Sequence, residues 1–269
     1  MKKYILITAV LFLSSCLTIM ANASDEFKIT GIFTGAGYNF AYTSMKDINS
    51  NLNTLADVAR QAGYGVKKQT VSNAQGFYAE VNFGFSSIRD LSAGLRTGGL
   101  FSFSSGFNSF RRQIYDNTWN NWFNSSMIPV LAGASYSFKL PFLRASVSAS
   151  FYLGVGFASA SWESFFSTTD PGWTPGDKAM WNFKIPASGT SLIAEVHSSA
   201  NFNLWGPVYL NLNFGYRFAD FPLLYVTKNI NGTFAGDLKS GDMALAADGS
   251  ILTLDFSGLD LSAGLNIRL

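Results

Sequence analysis

Leu143-Arg144-Ala145-Ser146-Val147-Ser148-Ala149-Ser150-Phe151-Tyr152-Leu153-Gly154-Val155-Gly156-Phe157 alternates without a break. Its odd positions are Leu, Ala, Val, Ala, Phe, Leu, Val and Phe, and its even positions are Arg, Ser, Ser, Ser, Tyr, Gly and Gly. A helix brings apolar residues back every three or four positions, so this period of two is a β-strand with one greasy face and one small, polar face.

The same alternation recurs on both sides. Phe77 to Phe85, Leu91 to Arg96, Val130 to Phe138, Leu192 to Ser199, Val208 to Phe218 and Leu259 to Leu269 each set an apolar series against Ser, Gly, Asn and Tyr. A less regular strand, about Phe27 to Tyr42, runs around Gly31, Gly35 and Gly37 and makes the eighth. Tight links are expected at Ser87 to Asp90, Pro141-Phe142 and Trp205-Gly206-Pro207, and long polar loops at about 43–75, 104–126, 158–190 and 219–250. Short turns at one end and long loops at the other describe a meander that closes on itself. A hairpin at Pro222 to Thr227 would raise the strand number to ten.

Charged residues make up 13% of the chain, hydrophobic ones 48% and aromatics 16%. Soluble domains carry about 25% charge. A soluble barrel would also show water a face rich in Lys, Glu and Thr; here the polar face suits a crowded interior, and the apolar face suits hydrocarbon. After the leader no apolar run approaches the ~18 residues of a spanning helix. The expected fold is therefore all-β: an eight-stranded antiparallel up-and-down transmembrane β-barrel.

The leader is residues 1–23. Lys2-Lys3, the apolar Tyr4 to Leu13 and the small-x-small Ala21-Asn22-Ala23 have the layout of a secretory signal peptide, leaving 24–269 as the barrel. Leu13-Ser14-Ser15-Cys16 also resembles a lipoprotein cleavage box, so lipidation at Cys16 is the alternative. Cleavage after Ala23 removes two of the 19 basic residues and leaves them level with 17 acidic ones, a balance that gives no reason to expect nucleic acid. It also removes the single cysteine, so no disulfide or thiol site is expected.

The interior charges fix a register. If Leu204 pairs with Val208, Glu195 falls opposite Arg217; if Phe85 pairs with Leu91, Glu80 falls opposite Arg96. Two lumenal ion pairs are expected, because a buried charge needs a partner.

Ile128-Pro129-Val130 opening one strand and Tyr152-Leu153-Gly154-Val155-Gly156-Phe157 ending the next resemble a hairpin common in small eight-stranded outer-membrane barrels. These are the OmpA, OmpX and OmpW type and the opacity-like adhesins. The last strand is similar to the signal read by the outer-membrane assembly machinery, although Leu269 stands where an aromatic is usual. The resemblance implies an outer-membrane location and contact with outer-membrane lipids and lipopolysaccharide. It also implies a non-enzymatic role in which surface loops bind, adhere or support the envelope. An OmpW-like member would pass small hydrophobic molecules.

No metal or cofactor is expected, because His197 is the single histidine. His197-x-Ser199 is similar to the His-x-Ser of lipid A deacylases, which makes a lipid-modifying barrel enzyme the alternative reading. Against it, the positions after Ser199, Ala200-Asn201-Phe202-Asn203-Leu204 and on to Asn211, hold no carboxylate to orient the base, and the alternation turns His197 inward. The aromatics are the other candidates. Trp119, Trp122, Trp162, Trp173 and Trp181 fall in or beside the second and third long loops, where they would meet a host molecule, lipopolysaccharide or a small apolar ligand, or anchor at the interface. Leu52, Leu55, Ala56 and Ala59 after Ser50-Asn51 suggest a short amphipathic helix capping the first loop.

Overall fold

The computed structural model describes residues 29–43, 45–85, 90–140, 144–233, 236–246 and 249–269. The expected leader, Cys16 and most of the first two expected turns lie outside them. Eight strands form the wall: β1 (Ile29–Thr43), β2 (Asn73–Phe85), β3 (Leu91–Ser102), β4 (Asp116–Leu140), β5 (Ala145–Thr168), β6 (Phe183–Trp205), β7 (Val208–Phe218) and β8 (Gly258–Arg268). Each pairs antiparallel with its neighbours in sequence, and β8 pairs back onto β1 from Gly258↔Thr43 to Arg268↔Phe33. The ring therefore closes on eight strands without an edge, as lipid demands of any spanning sheet. Tyr225–Val226 pairs with β6 at Ser188 and Ala187, beyond the ring, so it adds no ninth wall strand.

Alternation sets the two faces. Phe151, Leu153, Val196, Phe214, Leu261 and Tyr38 stand exposed, whereas Ser148, Ser150, Asn213 and Ser262 are buried inside. Two large lumenal rings fit because the adjacent strand carries glycine. A Cβ on Gly133 would come within 2.5 Å of the Tyr152 ring, and one on Gly37 within 2.8 Å of the Tyr78 ring. At the β6–β7 turn Gly206 takes a φ of 51°, a left-handed conformation that glycine adopts freely.

The expected loops at 104–126 and 158–190 are corrected by the structure. β4, β5 and β6 run for 25, 24 and 23 residues, and Ser105–Arg112 and Gly65–Gln69 add further strands beside β4. A spanning strand needs about 9–11 residues, so half of each long strand stands outside the bilayer. The period of two continues there, but the apolar side changes from outward to inward. Below the change Ile128, Val130, Leu153 and Phe157 face out; above it Trp119, Phe123, Met127, Trp162, Phe166, Phe183 and Ile185 are buried and Asn124, Ser126, Ser159 and Ser161 face out. Ile128, Phe157 and Thr190 lie side by side in register, so the change is level across three strands. It marks the outer edge of the hydrocarbon.

This reading predicts opposite tolerances on one strand. Leu153→Arg should destabilise the lipid-inserted protein by about 2–4 kcal/mol, the cost of a cation on the lipid face. Ser161→Arg, eight positions along on the same outward face, should leave stability nearly unchanged. Urea unfolding in liposomes checks both, and equal costs would refute the boundary.

The extracellular half has a core of its own. Helix α1 (Lys46–Gln61) lays Ile48, Leu52, Leu55, Ala56 and Ala59 into it, in one apolar cluster with Phe107, Trp119 and Phe123. The helix begins before the expected Ser50-Asn51 start, after Met45, and is pinned by Asn49, whose Nδ2 donates to Val71 O (2.6 Å) and whose Oδ1 accepts from Val71 N (3.0 Å).

Candidate functional site

Two places concentrate chemistry: the lumen and the extracellular core with its surfaces. In the lumen Glu80 pairs with Arg96 across β2–β3, and Glu195 with Arg217 across β6–β7, in direct register. Arg96 Nη1 lies 3.3 Å from Glu80 Oε2, and Arg217 Nε donates to Glu195 Oε1 at 2.5 Å. The two pairs are one network. Arg96 Nε also reaches Glu195 Oε2 at 3.4 Å, and Arg217 Nη2 donates to Asp260 Oδ2. Register arithmetic between adjacent strands misses the first of these, because Arg96 on β3 and Glu195 on β6 meet through the barrel interior. Asp260 could have been anticipated from the sequence as an acid on the polar face of the last strand.

The network is caged by uncharged groups. Arg96 stacks over the Tyr78 ring at 4.3 Å and faces Tyr152 at 5.8 Å, while Asn39 Nδ2 donates to Asp260 Oδ2 at 3.1 Å. Below it Tyr78 Oη donates to Asn211 Oδ1 (3.1 Å) and Asn213 Nδ2 to Ser262 Oγ (2.9 Å). Above it Leu100, Met127, Leu131, Ile193, Phe221, Leu224 and Phe256, each at most 1% exposed, belong to one apolar cluster. The interior is a filled plug of an ionic layer under an apolar one.

His197 is 2% exposed and its Nε2 lies 3.0 Å from Glu195 Oε2. Ser199 also faces the lumen, behind the wall that would separate it from an acyl chain. Glu195, His197 and Asp260 place ligand-type atoms within 4.8 Å of one another. Arg217 contacts both of those carboxylates, so a cation would displace or face a guanidinium. The donor set fits an ion-pair core better than a metal.

The five tryptophans separate into three groups. Trp119 and Trp162 are core residues, each 7% exposed, whose Nε1 groups donate to Ser164 Oγ (3.1 Å) and Asn121 Oδ1 (3.0 Å). Trp173 and Trp181 flank Phe166, with ring centres 4.7 and 6.1 Å away, and with Met180 and Asp177 they edge an open depression of about 260 Å³. Trp122 lies on the outward face of β4.

Helix α2 (Pro175–Trp181) holds that depression by its first turn. Asp177 N donates to Thr174 Oγ1 (3.2 Å), and Asp177 Oδ2 accepts from Thr174 N (2.9 Å) and Oγ1 (2.6 Å), a reciprocal cap. The Thr174 hydroxyl, then its backbone N–H, hold the Asp177 carboxyl below the usual carboxylate range. A lowered folded value means that the cap is fully present above the unfolded aspartate value and is lost as pH falls through the folded one. Protection of the helix amides at Asp177 and Lys178, corrected for the intrinsic pH dependence of exchange, should fall on acidification below about pH 4, and Thr174→Ala, which keeps only the backbone N–H, should weaken that dependence.

No family model and no curated protein matches the chain. Among solved structures it is similar to OprG of Pseudomonas aeruginosa (13% identity, 91% of this chain and 98% of that one, TM-score 0.40). It is also similar to Ail of Yersinia pestis, solved with the heparin analogue sucrose octasulfate (15%, 89% and 99%, 0.37). A further match is the outer membrane protease OmpT of Escherichia coli (9%, 92% and 99%, 0.41). The likeness is one of architecture. This is a transmembrane β-barrel. What separates this barrel from a bare spanning sheet is the packed structure that its three longest strands lift above the lipid.

Proposed function

We propose that the protein is a non-enzymatic surface-binding protein, with the barrel as its anchor and the extracellular sheet as its working part. The observation that carries this reading is the exchange of apolar and polar faces along β4, β5 and β6. These strands continue past the bilayer as a water-facing domain with a separate aromatic core, more structure than an anchor requires. Outer-leaflet lipid, lipopolysaccharide or a host molecule is the partner class. The filled lumen argues against a wide pore, as eight strands leave no water channel.

Two measurements test it. Cells displaying the protein should adhere to host-cell monolayers, and a variant lacking 169–182 should lose most of that adherence. The purified barrel in planar bilayers should show no conductance of nanosiemens size. Unchanged adherence of the deletion variant, or a wide conductance, would overturn the reading.

One observation favours a second role in passing small apolar molecules. Between Thr97↔Val130 and Leu100↔Met127 the β3–β4 ladder gives no pairing, and Pro129 there has no N–H to donate. A seam at the lipid edge is where such a molecule would leave. Uptake of a small apolar dye into liposomes that is equal with and without the protein would exclude it. The acyl-hydrolase alternative has little support, because Glu195, rather than a hydroxyl nucleophile, bonds the imidazole Nε2.

A further inference from the structure

Above the lipid edge the outward side chains of four adjacent strands form a flat grid set by register. One row reads Gly65, Phe110, Thr118, Ser167; the next Lys67, Asn108, Asn120, Phe165; the next Gln69, Gly106, Trp122, Glu163. Asn120 is the centre of this grid. Asn108 and Phe165 flank it across the strands, Thr118 and Trp122 along its own strand, and Phe110 diagonally.

The face is aromatic and open. Phe110 and Phe165 are 48% and 56% exposed. The Trp122 indole lies against Gly106, where a Cβ would come within 2.7 Å of its ring. An open depression of about 650 Å³ runs beside Lys67, Asn108, Phe110 and Asn120. Ser109 N donates to Asn120 Oδ1 at 3.2 Å, which holds that amide in place by its oxygen. At the outward positions between the rows of Phe110 and Ile128 the charged groups are Lys67 and the Glu163–Lys184 ion pair (2.5 Å). Aromatic faces beside amide groups, with little free charge, suit a partner whose own surface is C–H on its faces and hydroxyl at its rim. That is the chemistry of a sugar ring, whose C–H groups meet the negative face of an aromatic.

Position identifies the source. From Ile128 and Phe157, which touch lipid, the same outward face rises through Ser126, Ser159, Asn124 and Ser161 to Trp122 without a charged residue. Trp122 is six residues beyond Ile128, roughly 15 Å above the hydrocarbon at ordinary strand rise and tilt. In a leaflet of lipopolysaccharide, the sugars of the head group stand beside this face. We propose that the Phe110–Trp122–Phe165 face is a binding platform for the core oligosaccharide of the lipopolysaccharide surrounding the barrel. The inference rests on the surface-binding reading and assigns it a ligand and a site.

The test uses the full chain in phospholipid nanodiscs free of lipopolysaccharide, titrated with core oligosaccharide released from its lipid and followed by backbone amide exchange at residues 106–110 and 118–124. Protection should rise saturably. In Trp122→Ser/Phe165→Ser, both changes on a solvent-facing surface, apparent affinity should fall at least tenfold while heat-modifiable gel mobility is kept. Asn120→Ala, which removes the amide at the centre of the grid without adding charge, should weaken binding without altering the aromatics. A sulfated host-type oligosaccharide should neither protect these amides nor compete. Absence of saturable protection, equal affinity in the double variant, or tighter binding of the sulfated sugar on these amides would overturn the proposal. If the platform variant fails to matter while deletion of 169–182 still abolishes adherence, the platform is wrong and the surface-binding reading stands.

Discussion

Arg217→Met should cost the folded barrel about 3–5 kcal/mol, the penalty for leaving buried charges without their partner. Arg217 is 1% exposed and contacts both Glu195 and Asp260, so its loss strands two carboxylates around one remaining guanidinium, Arg96. Replacing Glu195 together with Arg217 (Glu195→Gln/Arg217→Met) removes one stranded charge and should recover a substantial part of that loss. The midpoint of urea unfolding in liposomes, read by the mobility of unheated protein, distinguishes the two variants. A single variant as stable as the parent would mean that lumenal charge is solvated and the plug is not closed.

Trp119→Ala should act elsewhere and as strongly, at about 3–5 kcal/mol for an aromatic removed from a packed core. Its ring meets Phe107 edge-on at 5.5 Å and Trp181 at 5.6 Å, and its Nε1 satisfies Ser164. The damage should stay above the lipid edge. Trypsin should cut the variant at Arg111 or Arg112, which sit at the hairpin tip beside this core, while the spanning ladder keeps its resistance to detergent. Simultaneous loss of heat-modifiable mobility would show that the extracellular core and the barrel unfold as one unit.

The barrel was legible because its governing signal is local. Fifteen alternating residues at 143–157 fix a strand, its lipid face and its neighbours' register, and Glu80 facing Arg96 follows by counting from a turn. The sheet above the lipid is hidden because its strands have no continuous outward greasy face. At 116–127 the alternation is intact, but Trp119, Phe123 and Met127 occupy the positions that point inward, so they read as loop aromatics. The signal was present as a change of phase between Met127 and Ile128, with Trp162 and Phe166 repeating it on the next strand. The Arg96–Glu195 contact is different in kind. It joins strands far apart in the ring, and no period along the chain encodes which residues meet through the interior.

The uninterrupted passage of β4, β5 and β6 from lipid into water has a mechanical consequence. A domain tethered by a linker swings when pulled, and the linker absorbs the motion. Here the same backbone is both handle and anchor, so a tug on the outer end travels along the strands and loads their hydrogen bonds in shear, many at once, instead of peeling them one by one. A molecule gripped at the top under flowing liquid would thus be held by a mast that bends little and is hard to uproot.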